Sequence, residues 1–149
     1  MDLGIKGRTA IVCASSQGLG KACSLALARE GVDVIINVRD ADKLATTTDE
    51  IRNITNVEVT AVAADINTEA GRKTLLGACD APDILVNNNA GPPPGKFEEW
   101  SHEDWLSGIE ANMIAPIMMI KGVIEGMESR KWGRIINITS AMVKTPKPR

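Results

Sequence analysis

The 149 residues contain no tyrosine, one phenylalanine, one histidine and three cysteines. Without tyrosine there is no phenol to serve as an acid or base. The lone His102 and the scattered Cys13, Cys23 and Cys79 form no cluster with metal-ligand spacing, and an odd number of distant thiols is no disulfide framework. No metal site is expected, and a reducing cytoplasm is the expected compartment. No stretch reaches the ~20 consecutive apolar residues read as a membrane span. Met1-Asp2-Leu3-Gly4 also lacks the basic-then-apolar design of a signal peptide, so neither a membrane nor export is expected. A basic excess is missing too: 17 basic residues are interspersed among 19 acidic ones for a net charge of -2. That leaves no electrostatic footprint for a nucleic acid and points to a small neutral or nucleotide ligand.

The composition itself is ordinary, 44% hydrophobic and 24% charged, as in a soluble globular domain. A chain of this length can bury roughly 70% of the surface it exposes when unfolded, so one core is expected. Short apolar runs rich in Val and Ile fall at 8–13, 32–38, 57–63, 83–87 and 134–138. Their continuous apolarity fits strands buried on both faces. Helical segments at 18–29, 41–53, 68–79 and 101–129 separate them, giving an α/β pattern of repeated strand-helix units around a parallel sheet.

The last of these helices has a capping box at its start, Ser101 with Asp104 three residues on. His102 lies in that first turn and is expected to face solvent. Residues 113–120 are apolar nearly all round, which suggests one side on the sheet and another on a partner subunit or a further segment. Pro116 should bend or locally break the helix. Residues 1–141 read as one dinucleotide-binding domain, and 142–149, without structural period, as a disordered tail.

The first strand runs straight into Cys13-Ala14-Ser15-Ser16-Gln17-Gly18-Leu19-Gly20 and then into a helix opening Lys21-Ala22. A loop in that position presents unpaired N–H groups and the positive end of the helix dipole, a natural pyrophosphate site. Gly18 would let the backbone approach phosphates, and Gly20 would let the helix pack closely on the strand. Isolated glycines would be explained equally well by a plain turn; the strand before, the helix after and a second strand ending near Val38 set these apart. The segment resembles the T-G-x-x-x-G-x-G loop of the short-chain dehydrogenase/reductase family. Cys13 replaces the threonine and Ala14 the first glycine, so the tight turn must form with a Cβ present, which restricts positive φ. Weaker cofactor binding is the expected consequence, with the Ser15 and Ser16 hydroxyls as alternative phosphate donors.

At the end of the second strand an acidic residue would hold an adenine ribose 2′-hydroxyl, whereas a guanidinium would pair with a 2′-phosphate. Val38 occupies the acidic position and Arg39 follows, which favours NADP. Asp40 would favour NAD if the strand ran a residue or two further, and Arg39 has a plainer use as a surface cation paired with Asp42. Asp65-Ile66 resembles the family's Asp-plus-apolar pair beside adenine; the plain alternative is a loop aspartate capping the next helix.

The fourth strand ends in Asn87-Asn88-Asn89-Ala90-Gly91, which resembles the family's N-N-A-G signature with one asparagine too many. The motif is either 88–91 or begins at Asn87 with Asn89 in the alanine position. Such amides can tie strands together through their backbone groups. By the same resemblance Asn112 matches the active-site asparagine and Ser140 the substrate-orienting serine.

What the resemblance implies is a Rossmann-type doubly wound parallel sheet and an NAD(P)-dependent oxidoreductase acting on a small-molecule carbonyl or alcohol, loosely like the 3-oxoacyl-carrier-protein reductases. It also implies a domain of ~250 residues. Its later part would carry the Tyr-x-x-x-Lys pair, in which a lysine lowers the phenol's pKa from ~10. The sheet here is therefore expected to be truncated after the fifth strand, with an open edge and a tendency to homo-oligomerise. Lys144 and Lys147 are at the wrong spacing to replace that lysine. The alternative is a non-catalytic nucleotide-binding or subunit-interaction module.

Overall fold

The computed structural model describes residues 2–91, 95–141 and 144–145. Its strands are β1 (Thr9–Val12), β2 (Asp33–Val38), β3 (Val59–Ala63), β4 (Ile84–Asn87) and β5 (Arg134–Asn137). The α-helices are α1 (Gly18–Arg29), α2 (Ala41–Ile54), α3 (Glu69–Leu76), α4 (His102–Ile109) and α5 (Ala115–Ser129). All strand pairings are parallel and the order is β3-β2-β1-β4-β5. The chain steps outward from β1 through β2 to β3, then crosses to the other side of β1 for β4. That reversal opens a crevice at the carboxyl ends of β1 and β4, the usual ligand position in such sheets.

Alternation along each strand divides the core in two. Ala10, Val12, Val34, Ile36, Ile84 and Val86 point to the face covered by Ala28 of α1 and by Leu44 and Ile51 of α2. Ile11, Ile35 and Leu85 point to the other, against Leu75 of α3 and Met119, Val123 and Met127 of α5. The register places Ile35, Ile11, Leu85 and Ile135 side by side across four strands. Burial on both faces explains why β1, β2 and β4 read as continuous apolar runs; the expectation of the same for 134–138 is corrected, since β5 lies at the sheet edge and is mostly exposed.

The helix expected over 101–129 is α4, a π turn (Glu110–Ile114) and α5 in direct succession. Ser101 caps α4 as expected: its Oγ accepts from Asp104 N at 3.2 Å, and Asp104 Oδ2 accepts from Ser101 N at 2.9 Å. His102 is exposed in the first turn. Pro116, near the start of α5, has no N–H and a ring that crowds the carbonyl four residues back, so the turn before it widens.

One expectation is corrected. By length and composition the 28-residue stretch His102–Ser129 is apolar enough to cross a membrane. Within it Ala115, Met119, Val123 and Met127 recur at helical spacing and are buried, while Met113, Ile117, Met118 and Ile124 are exposed. The tail expected at 142–149 lies largely outside the described residues; Lys144 and Thr145 each donate a backbone bond to the Ala141 carbonyl.

β5 forms one edge of the sheet, and Ile136 within it is 45% exposed. An open β-branched edge is a template for pairing. The 149-residue chain should therefore show a sedimentation-average mass that rises with concentration, and Ile136→Lys should return it to the monomer value. A wild-type monomer at all concentrations would contradict this.

Candidate nucleotide-binding site

The β1–α1 loop is held by backbone bonds on both sides. Cys13 N donates to Val86 O at 3.0 Å and Ser15 N to Asn37 O at 2.9 Å, which anchors the loop to β4 and β2. Ser15 is fully buried; its hydroxyl accepts from Asn37 N at 2.7 Å and donates to Asn37 O at 3.2 Å. With its proton so engaged and its side chain inside the protein, Ser15 does not reach the crevice, contrary to the expected phosphate role. Ser16, Gln17, Gly18 and Leu19 do line it.

Gln17 is the N-cap of α1 and makes no side-chain capping bond, so the helix-front amides are not closed off by that residue. Gly18 has φ +55° with open space where a Cβ would project. Gly20 is the opposite case: a Cβ there would lie 2.2 Å from the Ala14 carbonyl oxygen and 2.8 Å from the Asn88 amide. Only glycine lets α1 seat this close to β1. Ala14 itself adopts φ +47°, the left-handed conformation that a Cβ disfavours, so the turn has the expected shape with strain at that residue.

The crevice is a cavity of about 370 Å³ walled by the ends of β1, β2, β3 and β4. Asn37 and Val38 come from the end of β2, Arg39 and Asp40 from the residues between β2 and α2, and Lys43 from the first turn of α2; Ala64, Asp65 and Ile66 follow β3. Asn37 is buried after the apolar run Val34-Ile35-Ile36 of β2, and its amide donates to Val62 O and Ala64 O at 3.0 Å each, clasping β3 to β2. Sequence reasoning passed over it, although a polar residue within Val34-Ile35-Ile36-Asn37-Val38 is itself a signal. Lys43, one helical turn beyond Arg39, was also passed over.

The charges divide in a way the sequence left open. Asp40 N-caps α2: its Oδ1 accepts from Lys43 N at 3.2 Å and Asp42 N at 3.1 Å, and its Oδ2 is 3.4 Å from the Lys43 ammonium. The bond from Lys43 N leads the causes that hold the Asp40 carboxyl below its usual range. Arg39 is exposed and 3.8 Å from Asp65, not paired with Asp42, because β2 and β3 bring their ends together. Thr68 caps α3, accepting from Gly71 N at 3.0 Å, so Asp65 is not that cap. Instead Asp65 Oδ1 accepts from Asn67 N at 3.0 Å.

The three asparagines after β4 have separate tasks. Asn87 donates to Asn137 Oδ1 on β5 at 2.9 Å, and Asn88 to Ala14 O at 3.2 Å. Asn89 donates to Asn67 Oδ1 at 2.8 Å and Ala111 O at 2.9 Å. Ala90 joins the wall of the first cavity, whereas Gly91 lies beside a second, smaller one toward α4. A third cavity, about 260 Å³, contains Asn112 with Asn88, Asn89 and Thr139. Asn112 bonds back to Gly108 O at 3.0 Å, and Ser140 is exposed just past Thr139. Of the expected catalytic pair, Asn112 lines this cavity, which adjoins the nucleotide crevice, and Ser140 follows its lining residue Thr139 in the chain.

The comparisons agree with this geometry. The short chain dehydrogenase family pattern matches residues 8–149. An uncharacterized oxidoreductase, YvaG of Bacillus subtilis (strain 168), is 35% identical over 147 residues, 98% of this chain and 56% of that protein. The NADPH-dependent reductase BacG of the same organism is 31% identical over 144 residues, 93% of this chain and 56% of that protein. The crystal structure of L-sorbose reductase from Gluconobacter frateurii, complexed with NADPH and L-sorbose, superposes with a TM-score of 0.93 at 29% identity, covering 99% of this chain and 57% of that one. This chain belongs to the short-chain dehydrogenase family, and it spans little more than half the length of these relatives.

Two outcomes test the loop. Ala14→Gly removes the Cβ at positive φ and should raise stability by about 1 kcal/mol in denaturant unfolding; a loss would show that the alanine is unstrained. Burial pushes the Cys13 thiol from 9.0 to about 12, against a smaller opposing effect of a hydrogen bond from the Asn88 backbone. A raised pKa keeps the folded thiol protonated, so its contribution to stability is complete below pH 9 and declines as pH rises toward 12. At pH 8 a thiol reagent should label the half-buried Cys23 and Cys79 first, with Cys13 reacting only on unfolding. Equal rates for all three would contradict the burial argument.

Proposed function

We propose that this chain forms the nucleotide-binding part of an NADP-dependent oxidoreductase that interconverts a small-molecule carbonyl and alcohol. The observation that carries the proposal is the uncapped front of α1 facing a crevice at the sheet's carboxyl ends. The residues fit a dinucleotide. Amides around Gly18 can take the diphosphate, with Ser16 and Gln17 beside them. Arg39 and Lys43 are cations at the β2 side, while Asp40 is committed to its cap; this favours a 2′-phosphate over a bare ribose hydroxyl. Asp65 and Ile66 wall the adenine side, and Asn88 to Gly91 the nicotinamide side. BacG and the sorbose reductase complex, both tied to NADPH, support the same choice.

When bound, the nicotinamide supplies or receives the hydride. The chain's own residues orient: Asn112 lines the adjoining cavity, where a substrate oxygen could be held, and Ser140 comes directly after Thr139 of its wall. These residues include no tyrosine, so proton transfer through a phenol is not assigned to them. A second reading is a nucleotide-binding or subunit-interaction module without chemistry. Reduction of a carbonyl by added NADPH in the presence of this chain separates the two. Three free thiols fit a cytoplasmic setting, and the open β5 edge fits a homo-oligomer. The balanced charge fits neither a nucleic acid nor a membrane surface as partner.

Calorimetric titration should show NADPH binding more tightly than NADH. Arg39→Ala should weaken NADPH by about tenfold, the size of one charge-assisted contact, while leaving NADH nearly unchanged. Equal affinity for both nucleotides, or none for either, would contradict the reading.

A further inference from the structure

Asn89 is the third asparagine of the run that ends β4, and it adjoins all three cavities of the site. Its carboxamide is fully employed. Nδ2 donates to Asn67 Oδ1 and to Ala111 O, and Oδ1 accepts from Ala90 N at 2.8 Å. The Ala111 carbonyl belongs to the π turn, in which each N–H reaches the carbonyl five residues back. Ala115 N donates in that pattern to Glu110 O. The next donor in the row would come from residue 116 and serve Ala111, but residue 116 is proline and has no N–H. Ala111 is buried, and a buried carbonyl left without a donor is unfavourable.

We propose that Asn89 is a positioning residue: its amide supplies the hydrogen bond that Pro116 withholds from Ala111, fixing the π turn and with it the place of Asn112. The turn has a second brace from α3, where Arg72 Nη1 bonds Glu110 Oε1 at 3.0 Å and Ile66 O at 2.9 Å. The two braces run from the nucleotide side of the site, through Ile66 and Asn67, to the helix that bears Asn112. Asn89 and the proline 27 positions later are thus one device, since either alone leaves a donor or an acceptor without its partner. The importance of Asn112 rests on the oxidoreductase reading; the hydrogen bond itself does not.

The test uses the 149-residue chain without nucleotide, so its failure is separable from failure of cofactor binding. In the wild type, NMR should detect a scalar coupling across the hydrogen bond from Asn89 Nδ2 to the Ala111 carbonyl carbon; its absence in a folded sample overturns the proposal. Asn89→Ala should speed amide exchange over 111–117 by about tenfold and shift the Asn112 side-chain amide, leaving the Asn37 side-chain amide in place. Asn89→Asp, similar in size but lacking the donor, should behave like the alanine variant.

Pro116→Ala returns an N–H to the row, so Asn89→Ala in that background should alter exchange by less than about twofold. Equal effects of Asn89→Ala in both backgrounds would overturn the proposal. So would wild-type behaviour of Asn89→Asp, or a matching shift at Asn37 that marks general loosening.

Discussion

The backbone of Gly20 lies so close to the Ala14 carbonyl that a Cβ could not be placed between them, and the nucleotide crevice depends on that contact. It brings the front of α1 against the end of β1. The helix dipole and its unpaired amides then face the gap opened where β4 departs on the opposite side of β1 from β2. A larger residue at position 20 would push the helix outward and move the amides off the crevice floor. The same approach brings the Asn88 amide within reach of the Ala14 carbonyl. One small residue therefore coordinates a helix, a turn and the end of a second strand.

Around that contact, polar ties do what apolar packing cannot. The core fixes how strands and helices stack, but it does not set the shape of loops at the carboxyl ends of the sheet. Ser15, Asn37, Asn87, Asn88 and Asn89 set it instead, each bonding to a backbone or side-chain group of a neighbouring element. Buried amides and hydroxyls must be satisfied, so each of these bonds restricts the loop to few arrangements. The result is a crevice built in advance of its ligand, which limits the ordering that binding would require.

The central strands and the sheet class were legible because double-sided burial writes itself as short runs of Val and Ile, and the α1 loop because its glycines stand between a strand and a helix. The capping box at Ser101 and the break at Pro116 were likewise local matters. What could not be read depended on partners distant in the chain. Ser15 turns inward because Asn37 of β2 receives it; Arg39 faces Asp65 because β2 and β3 end together; Asp40 turns to its own helix. The separate duties of the three asparagines follow from which strand or turn is adjacent to each. Composition alone also understated how apolar the stretch from α4 to α5 is, since its few charges are spread along it.

The central claim is that the amides at the front of α1 receive a dinucleotide's diphosphate. It is tested most directly by following backbone amide resonances while NADPH is added. The account predicts that the largest shifts fall on Gly18, Leu19 and Gly20, with smaller ones at Arg39 and Asn89. Saturable binding that leaves those three amides unmoved, with the largest changes on α4 or the β5 edge, would contradict it.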